Sequence, residues 1–559
     1  MNSIRISLAS LLAFLAVDSA WAQRVVPLEH RWEVDPGFGD VWNTIREPRA
    51  KFLNVNDLKS DQAIVRFEAA QNICLNFDRP GFRNSPKTLT LVLDQVGNDA
   101  NSILARRSMI SAACLLDDGA NAQTIWNAAK SDPLASSMVE PYLWKWKSPV
   151  ALDFWRQRLK DPKSSSAQIE NALNGLAQVG KEQDRSLCLE WIESNRSSPI
   201  TRFAAARTLG LLQPNGLSEL ANQILNSQDP DKHLLAVSLV ATHTDASALK
   251  LLETVLQQGP PVSQRLAASS IAQHFPQQGL AMVVDWTKHP DDAIRLAALE
   301  LLKSTPSEQN TRLQATLLAD PDLKVRKIAR TQILELAGKN LRPTVDDCVS
   351  QNLLSEAWQG VEQAIVLAVE LQDRSRCPKF IELLEHTRPE VNMVAGWALM
   401  ELANEPQILA AIVPHAERLT SDLAAEEKVA KQDIIRLSFL FEAFGRNRYE
   451  PVLPMLRKYI PKDNFKMGNL SRTSAIWAIG KTMKQQDDPA LRAQLHERVL
   501  DLGTLTPENY LVGYGCILTL GEFGFLDSKP IVERHAIDSQ DALSCAGRWA
   551  KDQIEKSAK

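Results

Sequence analysis

The stretch Asp320-Pro-Asp-Leu-Lys-Val-Arg326-Lys-Ile-Ala-Arg-Thr-Gln-Ile-Leu-Glu-Leu-Ala-Gly338 holds a complete set of helix signals. Asp320 is placed to cap the first free N–H groups. Pro321 suits the first helical position because its φ is preset and it has no donor to satisfy, and Asp322 complements the positive end of the dipole. Val325, Ile328, Ala329, Ile333 and Leu336 then recur on one face at helical spacing. Gly338 is expected to take the left-handed turn that ends the helix. The stretch therefore predicts one amphipathic helix with its own start and stop.

The same unit recurs upstream as His289-Pro-Asp-Asp-Ala-Ile-Arg295-Leu-Ala-Ala-Leu-Glu-Leu-Leu302, where Arg295, Ala298 and Leu302 take the places of Arg326, Ala329 and Ile333. Arg265 with Ala268, Leu235 after Asp229-Pro-Asp231, and Arg202 with Ala205 continue the series. The slots at 202, 235, 265, 295 and 326 are separated by 33, 30, 30 and 31 residues. Between them lie second apolar-periodic segments such as Ala248-Leu-Lys-Leu-Leu-Glu-Thr-Val-Leu256, so each unit is a helix pair. A single pair cannot bury its apolar face, whereas stacked pairs share a continuous core, so the pattern implies a long array. Fainter copies at Val65-Arg66 with Ala69, at Pro389 to Ala395 with Ala398 and Leu402, and at Arg472 with Ala475 and Ile479 extend it both ways. From about residue 59 onward the chain has room for roughly a dozen to fifteen units.

This D-P-x-x-x-[VI]-R-x-x-A-x-x-x-[IL] pattern resembles HEAT repeats, and its short period is similar to the bacterial HEAT-like subset also found in phycobilin lyases. The resemblance is carried by residues 199–338, and less densely by 59–116 and 385–485. It implies an all-α, superhelical solenoid of HEAT-like helix pairs over residues 59–559, with the second helices lining a concave face that commonly holds other proteins. Leu235 and Ala395 occupy Arg slots, so an unbroken Arg–Asp ladder is not expected there. Residues 23–58, with Trp32, Trp42 and Asp35-Pro-Gly37, show no helical period and are expected to form an N-terminal arm or cap. The charged stretch Ser421 to Asp433 predicts an extended helix within one repeat.

The first residues have the form of an export signal: one basic residue at Arg5, an apolar core from Ile6 to Val17, and the small residues Ala20 and Ala22. Cleavage after Ala22 is expected, leaving no transmembrane segment, because the apolar core is shorter than the ~20 residues that span a bilayer. A periplasmic or extracellular location is the expectation. The 63 basic and 67 acidic residues leave a formal charge of −4, which supplies none of the phosphate attraction that nucleic-acid binding draws on. Cys74, Cys114, Cys188, Cys348, Cys377, Cys516 and Cys545 are an odd, widely spaced set, expected to behave as small buried hydrophobes.

Catalytic signals are weak. Gly175-Leu-Ala-Gln-Val-Gly180-Lys181-Glu182 has the glycine spacing of a phosphate loop, but Glu182 stands where Mg²⁺ requires a hydroxyl, and a helix precedes it instead of a strand. Gly180, Gly210, Gly338 and Gly480 are read as helix ends. Deoxyhypusine hydroxylase, a HEAT-class enzyme, holds iron with several His-Glu pairs; this chain has one, His496-Glu497. Its nine histidines are expected at helix ends and on the surface, and no cofactor is implied. No G-x-S-x-G elbow is present.

The least ordinary segment is Tyr142-Leu-Trp-Lys-Trp-Lys-Ser-Pro149 with Leu152-Asp-Phe-Trp-Arg-Gln-Arg158, which gathers three of the 13 tryptophans and several cations. Trp144, Trp146, Trp155, Arg156 and Arg158 are the candidate partner-binding residues, since rings and guanidinium groups recur at binding hot spots. Large rings also fill irregular repeats, and that reading stands beside the first. The sequence thus predicts a non-enzymatic, exported scaffold for a protein partner of unknown identity. The alternatives are a HEAT-like lyase or chaperone acting on a cofactor-bearing protein, and a self-assembling envelope protein, against which the polar tail Asp552 to Lys559 argues.

Overall fold

A computed structural model describes residues 55–77, 86–98, 101–194, 198–425, 431–462, 465–486, 488–503, 505–537 and 542–558. Every regular element among them is helical, in agreement with the all-α array of helix pairs. The expected signal and most of the expected arm lie outside the described residues; of the arm, Val55–Lys59 makes one 3-10 turn. Contacts divide the chain into two compact units, Lys51–Ser304 and a second whose described part begins at Thr305.

In the first unit the helices run in order α1 (Ala63–Asn76), α2 (Pro86–Val96), α3 (Ile103–Leu116), α4 (Ala122–Ala129), α5 (Pro133–Lys145), α6 (Leu152–Lys160), α7 (Ser166–Val179) and α8 (Arg185–Glu193). They continue as α9 (Pro199–Leu212), α10 (Ser218–Leu225), α11 (Lys232–Val240), α12 (Ala246–Gln258), α13 (Pro261–His274), α14 (Pro276–Trp286) and α15 (Asp292–Ser304). The odd-numbered helices stack on one another in sequence as a front layer, and the even-numbered ones lie behind them. Starts are built as the sequence suggests: Ser102, Asp132, Ser198 and Asp245 each accept a first-turn N–H, and Ser165 with Gln168 forms a full capping box.

Arginines in the first turns of several front helices have a structural role in this unit. Arg66 donates to Asn101 (2.7 Å), Arg107 donates twice to Asp132 (2.7 and 2.9 Å), Arg202 pairs with Asp229, and Arg265 donates to Asp291 (2.8 Å). Each link ties one front helix to the loop that starts the next. Leu235, in the same slot of α11, is fully buried in apolar core, so the link is absent there.

The second unit contains α16 (Glu308–Thr316), α17 (Leu323–Leu336), α18 (Arg342–Asn352), α19 (Trp358–Glu370), α20 (Cys377–Leu383), α21 (Pro389–Leu402), α22 (Pro406–Ala425) and α23 (Lys431–Arg446). It ends with α24 (Leu453–Leu456), α25 (Asn469–Thr482), α26 (Pro489–Leu500), α27 (Tyr510–Phe523), α28 (Lys529–Glu533) and α29 (Ala542–Ser557). The odd helices again stack in sequence. Here the front layer is held by close backbone approach: a Cβ added at Gly445 would meet the Ala478 Cα at 2.7 Å, and one at Gly480 the Thr519 Cα at 2.9 Å. Residues 471–480 of α25 are buried all round. At one end of α25, Arg472 donates to both oxygens of Glu508 (3.0 and 2.9 Å) and to the Tyr459 and Ile460 carbonyls.

Several local expectations are corrected. The helix after Asp320 begins at Leu323, and Asp322 is its cap, accepting from Val325 N at 3.0 Å, while Asp320 folds the turn by accepting from Asp322 N. The left-handed residue beyond it is Asn340 (φ 64°), not Gly338, because the backbone first runs through a short π-type turn. Gly210 and Gly480 lie inside α9 and α25, where the absence of a side chain lets the next front helix come close. The stretch Ser421 to Asp433 is split between the end of α22, the 20-residue helix, and the start of α23, and residues 426–430 lie outside the described residues.

Candidate binding face

The candidate residues of the Trp/Arg segment are placed in two different settings. Trp155, on α6, has no exposed surface; its indole donates to Glu140 at 3.2 Å, and its ring fills the space over Gly175, where a Cβ would sit 2.4 Å from the ring. Arg158 is also buried, donating to both Glu140 oxygens at 2.8 Å and lying 4.4 Å from the Phe154 ring centroid. Burial pushes the Glu140 carboxyl upward, against the pull of the Arg158 guanidinium. Trp155, Arg158 and Glu140 thus form an internal cluster. The glycine of the phosphate-loop-like spacing serves it by yielding room for the indole.

Trp144, Trp146 and Arg156 are half-buried. Trp146 closes α5, tilted against Tyr142 with ring centroids 5.8 Å apart and standing over Gly119. Arg156 forks onto Asp184 (2.8 and 3.0 Å) and reaches Asp153 at 3.1 Å. Trp144 has an indole N–H without a hydrogen-bond partner among the described residues. These three do not share a face with the buried pair.

A different surface shows the regularity expected of a binding face. On the front helices of the first unit, Ile64, Ile103, Leu104, Leu134, Ile200 and Val262 are exposed, each within the first two residues of its helix. Further along the same exposed stripes stand Gln71, Met138, Pro141, Arg207, Ser269 and Gln273. The face is therefore aliphatic along one edge and mostly uncharged beyond it. The sequence did hold a signal: Pro133-Leu134, Pro199-Ile200 and Pro261-Val262 put an aliphatic residue directly after the helix-starting proline, where solvent would favour a polar one.

The front face of the second unit has other chemistry. Arg330 and Glu370 lie 3.3 Å apart, Arg446 and Glu401 3.3 Å, and Lys481 and Glu522 2.7 Å, with Lys481 also over the Trp477 ring at 5.5 Å. Burial pushes the Glu370 and Glu401 carboxyls up. A cleft of about 780 Å³ between Ile460, Lys462, Glu497, Arg498 and Asp501 is likewise occupied by its own charges, Lys462 lying 2.5 Å from Asp501 and Arg498 pairing with Glu497. Among the described residues no group of three His, Cys, Asp or Glu is arranged to hold a metal ion, and no helix is long and apolar enough to cross a membrane. All seven cysteines are free; six are buried, and burial pushes Cys114 and Cys188 up to about 12. His243 is not at the surface as expected: it is fully buried, 3.8 Å from Asp245.

No protein-family model and no curated protein matches the sequence. Among solved structures, the chain is similar to Kap95p in a complex with RanGDP concerned with nuclear import, at 13 % identity and a TM-score of 0.47, covering 91 % of this chain and 72 % of that one. A structure of yeast importin-β (Kap95p) gives 13 % identity and 0.42, covering 91 % and 73 %. Kap121p bound to Ste12p gives 13 % and 0.46, covering 91 % of this chain and 56 % of that one. The HEAT-like helix pairs are carried by the chain's own repeats, caps and Arg links.

Proposed function

We propose that the protein is an exported, non-enzymatic scaffold that holds a protein partner against the front face of its first unit. The carrying observation is the row of exposed aliphatic side chains that recurs along the front helices. Exposed apolar residues repeated at one position of α1, α3, α5, α9 and α13 are the mark of an association site, whereas singly scattered exposed hydrophobes require no explanation. The built ion pairs of the second unit hold its own helices together and leave the first unit as the open surface. Export rests on the N-terminal pattern ending at Ala22.

Two measurements test the reading. The protein recovered from its native host should begin at Gln23; retention of Met1 in the cytoplasm would remove export. A Leu134→Glu, Ile200→Glu variant should keep its thermal midpoint and lose the proteins that co-purify with the wild type. Unchanged co-purification would place the binding surface elsewhere.

A further inference from the structure

The spacing of the exposed row selects the shape of what lies on it. Ile64, Ile103, Leu104, Leu134, Ile200 and Val262 are each between 56 and 64 % exposed. At the equivalent second position α7 and α11 present Ala167 and His233. Neighbouring packed helices lie about 8–10 Å apart, so the row offers single steps of that length from α1 through α3 to α5 and double steps across α7 and α11. Same-face residues of an extended strand recur every ~6.7 Å or ~13.4 Å and miss this step. A polyproline helix recurs every ~9 Å, but its usual grooves are lined with aromatic rings, and the row holds none. Seven residues of an α-helix rise ~10.5 Å and return to nearly the same face.

The area agrees with a specific complex. A buried aliphatic side chain removes on the order of 100 Å² from water, so these six, a little over half exposed, offer roughly 60 Å² each and about 360 Å² together. A standard interface buries about 800 Å² per partner, of which about 450 Å² is apolar. The row supplies most of that, and Met138 and Pro141 adjoin it.

We propose that the partner's docking element is an amphipathic α-helix laid across the front helices of the first unit, with an apolar residue at every seventh position. This rests on the binding-face reading above. The test places the photo-crosslinking residue p-benzoylphenylalanine singly at Leu104, Leu134 and Ile200 in the native host, with Gln157 on α6 as the back-layer control. Crosslinks from positions 104 and 134 should fall about seven residues apart on one partner, and those from 134 and 200 about fourteen. Spacings of about two or four residues per front helix (a strand), or about three (a polyproline helix), would overturn the helical partner while leaving the binding face standing. Exported, folded protein that crosslinks at none of the three positions would overturn the binding face itself.

Discussion

The two units use the same helix-pair plan and differ in what mostly holds it together, although Gly210 gives one close backbone approach in the first unit as well. In the first, front helices begin at capped, often proline-led turns and are tied to the next repeat by half-exposed Arg links such as Arg107 to Asp132. In the second, the front helices approach through glycines at 445 and 480, bury a serine pair (Ser438 and Ser474, 2.8 Å) and enclose the Arg472–Glu508 pair almost completely. Close approach leaves residues 471–480 of α25 buried, whereas the looser links of the first unit leave an aliphatic residue standing out on α1, α3, α5, α9 and α13. A surface for a partner and a tight layer are competing uses of the same repeat face.

The largest effects should come from breaking each unit's buried anchor. Arg472→Ala leaves Glu508 buried with its main partner gone, and removing one member of a buried pair typically costs about 3–5 kcal/mol. Trp155→Ala leaves a cavity over Gly175 and removes one of the donors to Glu140, with a similar expected cost of about 3–5 kcal/mol. Hydrogen exchange followed by mass spectrometry should show protection lost in the second unit for the first variant and in the first unit for the other. Protection lost throughout the chain in either variant would mean the units do not unfold independently.

Next in size is a test of the glycine layer. Gly480→Ala pushes a methyl group against the Thr519 backbone and should cost about 1–3 kcal/mol by urea unfolding. Gly338→Ala meets nothing within 4 Å at a residue without positive φ and should be neutral or slightly stabilising. Equal costs at the two sites would refute close approach as the reason for Gly480.

How far the sequence foretold these differences depends on whether the signal was local. Helix starts, the repeat period and the Arg slots were legible because each is written within a few residues, as in Asp320 to Arg326. The roles of Gly210, Gly480 and Gly175 were not, because each glycine answers to a residue from another helix: Leu239, Thr519 and Trp155. Trp155 and Arg156 are adjacent in sequence, yet one faces the core and the other Asp184, a separation that follows from the 100° step of the helix. The exposed row lay hidden for the opposite reason. Its residues are individually ordinary, and only their common place in successive helices gives them meaning.

A smaller effect depends on pH. His243, fully buried in the first unit, has its ring held below the usual imidazole range, first by burial, with Asp245 opposing. A depressed folded pKa means the unfolded chain binds the proton more readily, so stability is full above the unfolded value of about 6.5 and is lost as pH falls below it. The thermal midpoint of the first unit should therefore drop between pH 7.5 and 5.5, and His243→Gln should flatten that drop. An unchanged slope in the variant would assign the effect to other groups, His274 first among them, since burial lowers its ring too.

The smallest expected change in stability carries the most information about use. Leu134 and Ile200 stand in the open at the second residue of α5 and α9, where they touch too little to contribute to the core. Replacing either by Ser should move the urea midpoint by no more than about 0.5 kcal/mol equivalent, the usual range for surface sites. Losing an aliphatic contact from a binding row should instead weaken partner capture, by an amount that grows when both are changed. Gly480→Ala should do the reverse, lowering stability while leaving capture by the intact first unit unchanged. If Leu134→Ser and Ile200→Ser prove silent in both measurements, the exposed row is a tolerated irregularity of the repeats, and the contrast between an open unit and a closed one is structural only. If either lowers stability well beyond ~0.5 kcal/mol, the row is covered by part of this chain itself, and the surface available to a partner must be sought on the half-buried side of Trp144 and Trp146.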